Sequence, residues 1–130
     1  MTKPTWLTKS FVLRVHNRQI ELFGGLSGMR DEGLLESALS RPLNAHAYGE
    51  KDIFNLAGLY AAGIIGNHPF LDGNKRTGYV AALTFLRAMG WRLSVPDEDR
   101  IAQTLLLAAG DIDERAYATW LRGACVQDKA

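Results

Sequence analysis

The chain has 130 residues, which suits one domain with a hydrophobic core large enough to need neither disulfides nor a structural metal. Hydrophobic residues make up 47% and charged residues 22%, an ordinary globular balance, and the net charge of +1 supplies no bulk attraction to nucleic acid or to a membrane. A single cysteine, Cys125, excludes an internal disulfide and a cysteine-rich zinc site.

Taken in chain order, the turn signals divide the sequence into helices. Thr8 is suited to cap a first helix reaching about Phe23, with Val12, Val15, Gln19, Ile20 and Phe23 at helical spacing. Gly24-Gly25 stops it. Asp31 is suited to cap a short second helix carrying Leu34, Leu35, Ala38 and Leu39, and Pro42 is expected to limit it. Leu43 to Lys51 reads as an irregular surface loop. Asp52 then caps a third helix through Asn67, apolar nearly all round and therefore central. A fourth helix runs from near Asn74 to Met89 with Gly90 as its stop. Trp91 to Val95 reads as a short extended segment. Asp97 is expected to cap a fifth helix ending at Gly110, and Asp111 or Asp113 a sixth running to about Gly123. No repeat or linker interrupts the pattern. The fold class is all-α, one domain over residues 1–130, a compact bundle of about six helices.

The longest apolar stretch, Leu56 to Gly66, is far short of the about 20 residues that cross a membrane, and Met1 to Trp6 lacks the apolar core of a signal peptide. With the lone cysteine, this gives a cytoplasmic expectation.

Chemistry concentrates between the third and fourth helices, in His68-Pro69-Phe70-Leu71-Asp72-Gly73-Asn74-Lys75-Arg76-Thr77. Asp72-Gly73-Asn74 leads into a helix start, where backbone N–H groups lack helical partners and the dipole is positive, a ready anion site. Gly73 lets a ligand approach the backbone closely. Lys75 and Arg76 place positive charge where it opposes the helix dipole, a cost that a bound polyphosphate relieves. Asp72 is a hard oxygen ligand suited to Mg²⁺ shared with phosphates. His68 can take a proton near neutral pH. Phe70 is apolar and should pin the loop to the core. A P-loop is set aside, because the glycine it needs upstream of a Gly-Lys pair is absent.

This run resembles the signature of the Fic/Doc family: His-Pro-Phe, two residues, Gly-Asn, Gly or Lys, then Arg. His68, Pro69, Phe70, Asp72, Gly73, Asn74, Lys75 and Arg76 all stand in or against that pattern. The stretch from Phe23 to Leu39, with Gly24-Gly25-Leu26-Ser27-Gly28-Met29-Arg30-Asp31 at its heart, is similar to the N-terminal part of death-on-curing (Doc) toxins. The resemblance implies His68 as base, Asp72 as Mg²⁺ ligand, Arg76 as a catalytic phosphate contact, and the Gly73–Asn74 backbone with Lys75 as the nucleotide-phosphate cradle. Two differences from the AMP-transferring branch matter. Lys75 replaces its usual Gly, and Tyr79 stands where that branch has a second Arg. Both match the Doc branch, which implies ATP and Mg²⁺, transfer of the γ-phosphoryl to a hydroxyl of elongation factor Tu, blocked translation, and restraint by a Phd-type antitoxin. An AMP transferase is the competing enzyme reading. A non-catalytic antitoxin-binding module is the third, and the intact His68 and Asp72 count against it. Ser94 to Glu98 is the nearest match to a Fic inhibitory helix and is rejected, because Pro96 interrupts it and Asp99 follows it.

Other residues have plainer readings. His16 and His46 lack metal-ligand spacing and read as structural or surface residues, although the Leu43–Lys51 region, by resemblance, is a place for a flap that guides the target chain. Trp91 and Trp120 read as core anchors, Arg30-Asp31 as a helix cap and ion pair, and Cys125 as inert.

Overall fold

The computed structural model describes residues 3–128, leaving Met1 and Thr2 of the stretch read for a leader outside it. Six helices follow in order: α1 (Lys9–Phe23), α2 (Glu32–Ala47), α3 (Ile53–Asn67), α4 (Asn74–Ala88), α5 (Asp97–Ala109) and α6 (Glu114–Ala124). Two short strands, β1 (Trp91–Leu93) and β2 (Cys125–Gln127), pair antiparallel, with Arg92 opposite Val126. The all-α class holds.

Four of the expected caps form as local chemistry dictates. Thr8 accepts the Phe11 N–H, Asp31 the Leu34 N–H at 3.1 Å, and Asp52 those of Phe54 and Asn55. Asp113 does the same for α6, accepting from Ala116 at 2.9 Å. The α5 start differs. Pro96, not Asp97, is the N-cap residue, with φ −61° and an extended ψ of 156°. The carboxylates of Asp97, Glu98 and Asp99 sit in the first turn instead, where they complement the helix dipole.

Pro42 does not end α2. The helix continues through it to Ala47, so Leu43 to Ala47 is helical and only the stretch from Tyr48 to Asp52 is irregular. Pro42 removes one helical donor, but it is buried together with Leu35, Ala38 and Leu39. Nearby, α2 and α3 approach so closely that a Cβ on Gly63 would lie 3.2 Å from the Ala38 carbonyl oxygen. Burial of this face outweighs the missing bond. His46 consequently lies in the last turn of α2, with its ring edge-on to Trp6 at 5.3 Å.

α3 is the centre of the molecule, packed by α2, α4, α5 and α6. Leu56, Ala57, Tyr60, Ala61 and Ile64 are fully buried along it. Glycines on α3 permit two close crossings: Gly58 against the α6 backbone and Gly63 against α2. On α4, Gly78 allows an equally close approach to Ile65 of α3. α1 lies across α4 and α2. Trp91 packs edge-on to Phe54, and Trp120 lies 5.3 Å from Tyr117, so both are core anchors as read. No described helix is long and apolar enough to cross a membrane.

Candidate active site

The loop between α3 and α4 is built from the end of a central helix, a buried plug and the start of another helix. His68 closes α3. Its N–H bonds the Ile64 carbonyl, and its backbone is left-handed at φ 54° and ψ 54°. Among the described residues it is the one non-glycine with positive φ. Histidine visits this region more readily than most residues, but never without support from its surroundings. The side chain is exposed. Pro69 and Phe70 are buried behind it, and the Phe70 ring stacks on His16 at 3.7 Å and 6°.

Asn74 then fastens the loop to α4. Its side chain is 4% exposed and bonds both backbone groups of Phe70 at 3.0 Å, accepting from the N–H and donating to the C=O. This closed pair turns the chain back on itself and aims the N-terminus of α4 outward. Gly73 precedes it with φ +80°, a conformation that favours glycine, and a Cβ there would press on the Ile20 Cδ1 at 3.3 Å. The first helical bond of α4 is from the Thr77 N–H to the Gly73 carbonyl. The N–H groups of Asn74, Lys75 and Arg76 therefore take no bond within the helix.

The second wall of the loop comes from the strap between α1 and α2. The Leu26 N–H donates to the Asp72 Oδ2 at 2.7 Å. The Leu71 N–H donates to the Gly28 carbonyl, and the Pro69 carbonyl accepts from the N–H groups of Arg30 and Asp31 at 2.6 and 2.9 Å. Arg30 itself forks onto the carbonyls of His68 (2.7 Å) and Asn67 (2.9 Å). The expected Arg30–Asp31 ion pair is thus replaced: Asp31 caps α2, while Arg30 caps the far end of α3. Arg76 reaches the strap from the other side, bonding the Gly24 carbonyl at 3.3 Å with its guanidinium 5.0 Å from the Phe23 ring.

His16 is the functional-site residue that sequence reading undervalued. It is 1% exposed, and its Nε2 lies 2.8 Å from the Asp72 carbonyl oxygen. That oxygen only accepts, so the Nε2 carries the proton. Only its helical spacing with Val12 and Gln19 marked it as inward-facing.

His68, Asp72, Gly73, Asn74, Lys75 and Arg76 all line one open cleft of about 530 Å³, with Tyr79 of α4 and Ile101, Thr104 and Leu105 of α5 on its apolar side. The volume is in the range of small-molecule sites. Behind α5, the Thr104 hydroxyl bonds the Tyr117 hydroxyl at 3.1 Å, and burial pushes the Tyr117 phenol up to about 12. None of the residues from Leu43 to Lys51 is among those that line the cleft. Cys125 is buried, and burial raises its thiol pKa, in keeping with an inert role.

The metal reading can be tested on Asp72. One carboxylate oxygen is engaged by Leu26, while the other has no protein donor among the described residues. No cluster of three or more metal-binding side chains occurs among those residues. The arrangement fits Mg²⁺, which is commonly held by a single carboxylate together with substrate phosphates and water.

A helix end with amides unpaired in the helix, two adjacent cations, an imidazole and a carboxylate meet in one cleft, along the run that resembles the Fic/Doc signature. The sequence profile of the Fic/DOC family matches residues 6–86, which take in the strap, the loop and most of α4. The chain belongs to the Fic/Doc family. It is 35% identical over 113 residues to the "Protein kinase doc" of Escherichia phage P1, covering 85% of this chain and 88% of that one. It is 38% identical over 107 residues to the "Toxin Doc" of Mycolicibacterium smegmatis, covering 78% and 81%. Both of these relatives carry the name Doc.

Proposed function

We propose that the chain is a Doc-type toxin that transfers the γ-phosphoryl of ATP to a protein hydroxyl. The observation that carries this reading is the junction of an exposed imidazole, a carboxylate with one oxygen unengaged, and the open N-terminus of α4 bearing Lys75 and Arg76. The name of the phage P1 relative supports kinase chemistry. So does Tyr79, which lines the cleft where a second Arg would serve the opposite nucleotide orientation.

In this reading His68 takes the proton of the acceptor hydroxyl as its oxygen attacks the γ-phosphorus. The bond from that phosphorus to the β–γ bridging oxygen breaks, and ADP leaves. The N–H groups at the start of α4, with Lys75 and Arg76, hold the phosphates and balance charge in the transition state. Asp72 would hold Mg²⁺, which neutralises phosphate charge when bound. Asn74 keeps the cradle in shape through Phe70. By family analogy the acceptor is a hydroxyl of elongation factor Tu, which stops translation. An antitoxin of the Phd type restrains the toxin, and the site works in the cytoplasm.

The test is parallel incubation with γ-labelled and α-labelled ATP, Mg²⁺ and a bacterial lysate. Transfer of the γ label alone, lost in His68→Ala, is the expected result. Transfer of the α label would identify an AMP transferase and overturn the kinase reading. Full growth arrest by His68→Ala in cells would overturn the assignment of the base.

A further inference from the structure

We propose that Arg30 is a positioning residue for the reaction at His68, acting through the backbone and not through substrate. The inference rests on the functional reading above for its kinetic consequence, but its structural half stands on geometry alone.

Three consecutive carbonyls, those of Asn67, His68 and Pro69, mark the exit from α3. All three are held by residues 30 and 31. The Arg30 guanidinium takes the first two, at 2.9 and 2.7 Å. The N–H groups of Arg30 and Asp31 take the third. The first two belong to the peptide units that flank the left-handed His68, and the third follows directly. Rotating His68 out of that conformation would swing its carbonyl away from the fork. Arg30 therefore locks the torsions that set where the imidazole emerges.

The residue type is specific to the task. A planar guanidinium presents parallel donors that span two neighbouring carbonyls, whereas an ammonium is a compact point charge. A cation at this place also complements the negative end of α3. Arg30 is exposed and forms no ion pair among the described residues. Its side chain is not needed to fill the core, so its removal leaves no cavity. The rest of the strap still holds the loop through the backbone at Gly28, Leu26 and Asp31. The fold and the phosphate cradle should then survive its loss, while the direction of His68 should not.

The experiment compares Arg30→Gln and Arg30→Lys with the full-length wild-type chain. The first readout is the backbone and Cβ chemical shifts of His68 by NMR, which report a left-handed residue without any need for activity. In Arg30→Gln they should move toward averaged values, with Phe70 and Asn74 shifts retained. The second is steady-state phosphoryl transfer. A displacement of the base by about 1 Å is enough for a loss on the order of 100-fold. A fall of at least about 10-fold in kcat is therefore expected for Arg30→Gln, with KM for ATP within about 2-fold and a smaller fall for Arg30→Lys. Unchanged His68 shifts in Arg30→Gln would overturn the proposal. So would an unchanged kcat, or a loss no larger than the fraction of unfolded protein. If the wild type transfers no phosphoryl group, the functional reading fails instead, and the His68 shifts alone decide whether Arg30 sets that backbone.

Discussion

Replacing Asn74 by alanine tests the loop–helix junction most directly. The side chain makes two hydrogen bonds, both to Phe70, and both ends of this pair are buried: Asn74 is 4% exposed and Phe70 1%. Alanine removes both bonds and leaves a donor and an acceptor with no replacement. A buried group left unpaired costs about 1–3 kcal/mol. Two adjacent groups, with partial relaxation, give a loss of roughly 2–4 kcal/mol. This is a large share of the about 5–15 kcal/mol that holds a domain together. Equilibrium urea unfolding followed by circular dichroism should show a lower midpoint with an unchanged slope. Asn74→Asp is the companion variant. It keeps the acceptor for the Phe70 N–H but turns a carboxylate oxygen toward the Phe70 carbonyl, so at neutral pH it should be at least as destabilised as the alanine variant. A loss below about 0.5 kcal/mol for Asn74→Ala would refute the argument, since it would mean that water or backbone movement satisfies Phe70 without Asn74.

Three further outcomes follow from the packing and the buried hydroxyls. Gly58→Ala puts a Cβ 2.7 Å from the Glu114 carbonyl oxygen, forcing α6 away from α3; a loss of about 1–3 kcal/mol is expected by urea titration. Gly66→Ala, where a Cβ meets nothing within 4 Å, should instead hold or gain up to about 1 kcal/mol. For Tyr117 the folded phenol titrates near 12 against 10.0 for the free group, chiefly through desolvation by burial. The native state then holds a proton that the unfolded state has released between those values, so this contribution is fully present below pH 10 and is lost as pH rises toward 12. The difference is at most about 2–3 kcal/mol. Tyr117→Phe should flatten the stability profile over that window, and an unchanged slope would contradict the assigned cause.

The parts of the fold legible in the sequence are those fixed by neighbours along the chain. Thr8, Asp31, Asp52 and Asp113 cap helices because a short polar side chain reaches N–H groups two or three residues away. The run from His68 to Arg76, which supplies much of the cleft's lining, stood out for the same reason, being contiguous. Pro42 misled because its local penalty is real, yet the face it shares with Leu39 is buried against the rest of the core, which no local rule registers. β2 was missed because three residues of strand carry little pattern and exist through pairing with β1. His16 and Arg30 gained their places through contacts spanning 56, 38 and 37 residues. His16 carries no motif, and Arg30, though inside the stretch similar to Doc toxins, reads locally as a cap and ion pair; only the folded chain brings them to the loop.

The clamp around the α3–α4 loop also fixes when the site comes into being. The groups that grip Asn67, His68 and Asp72 lie at His16, Leu26 and Arg30, so all precede the loop in the order of synthesis. Chains emerging from the ribosome expose their N-terminal parts first. The gripping residues are therefore synthesised before the piece they hold, and His68 meets them once α3 and the loop after it have packed. The cleft is finished later still, because Ile101, Thr104 and Leu105 come from α5, downstream of every residue in the motif. A chain interrupted before α5 would carry the whole signature and only one side of its binding cleft.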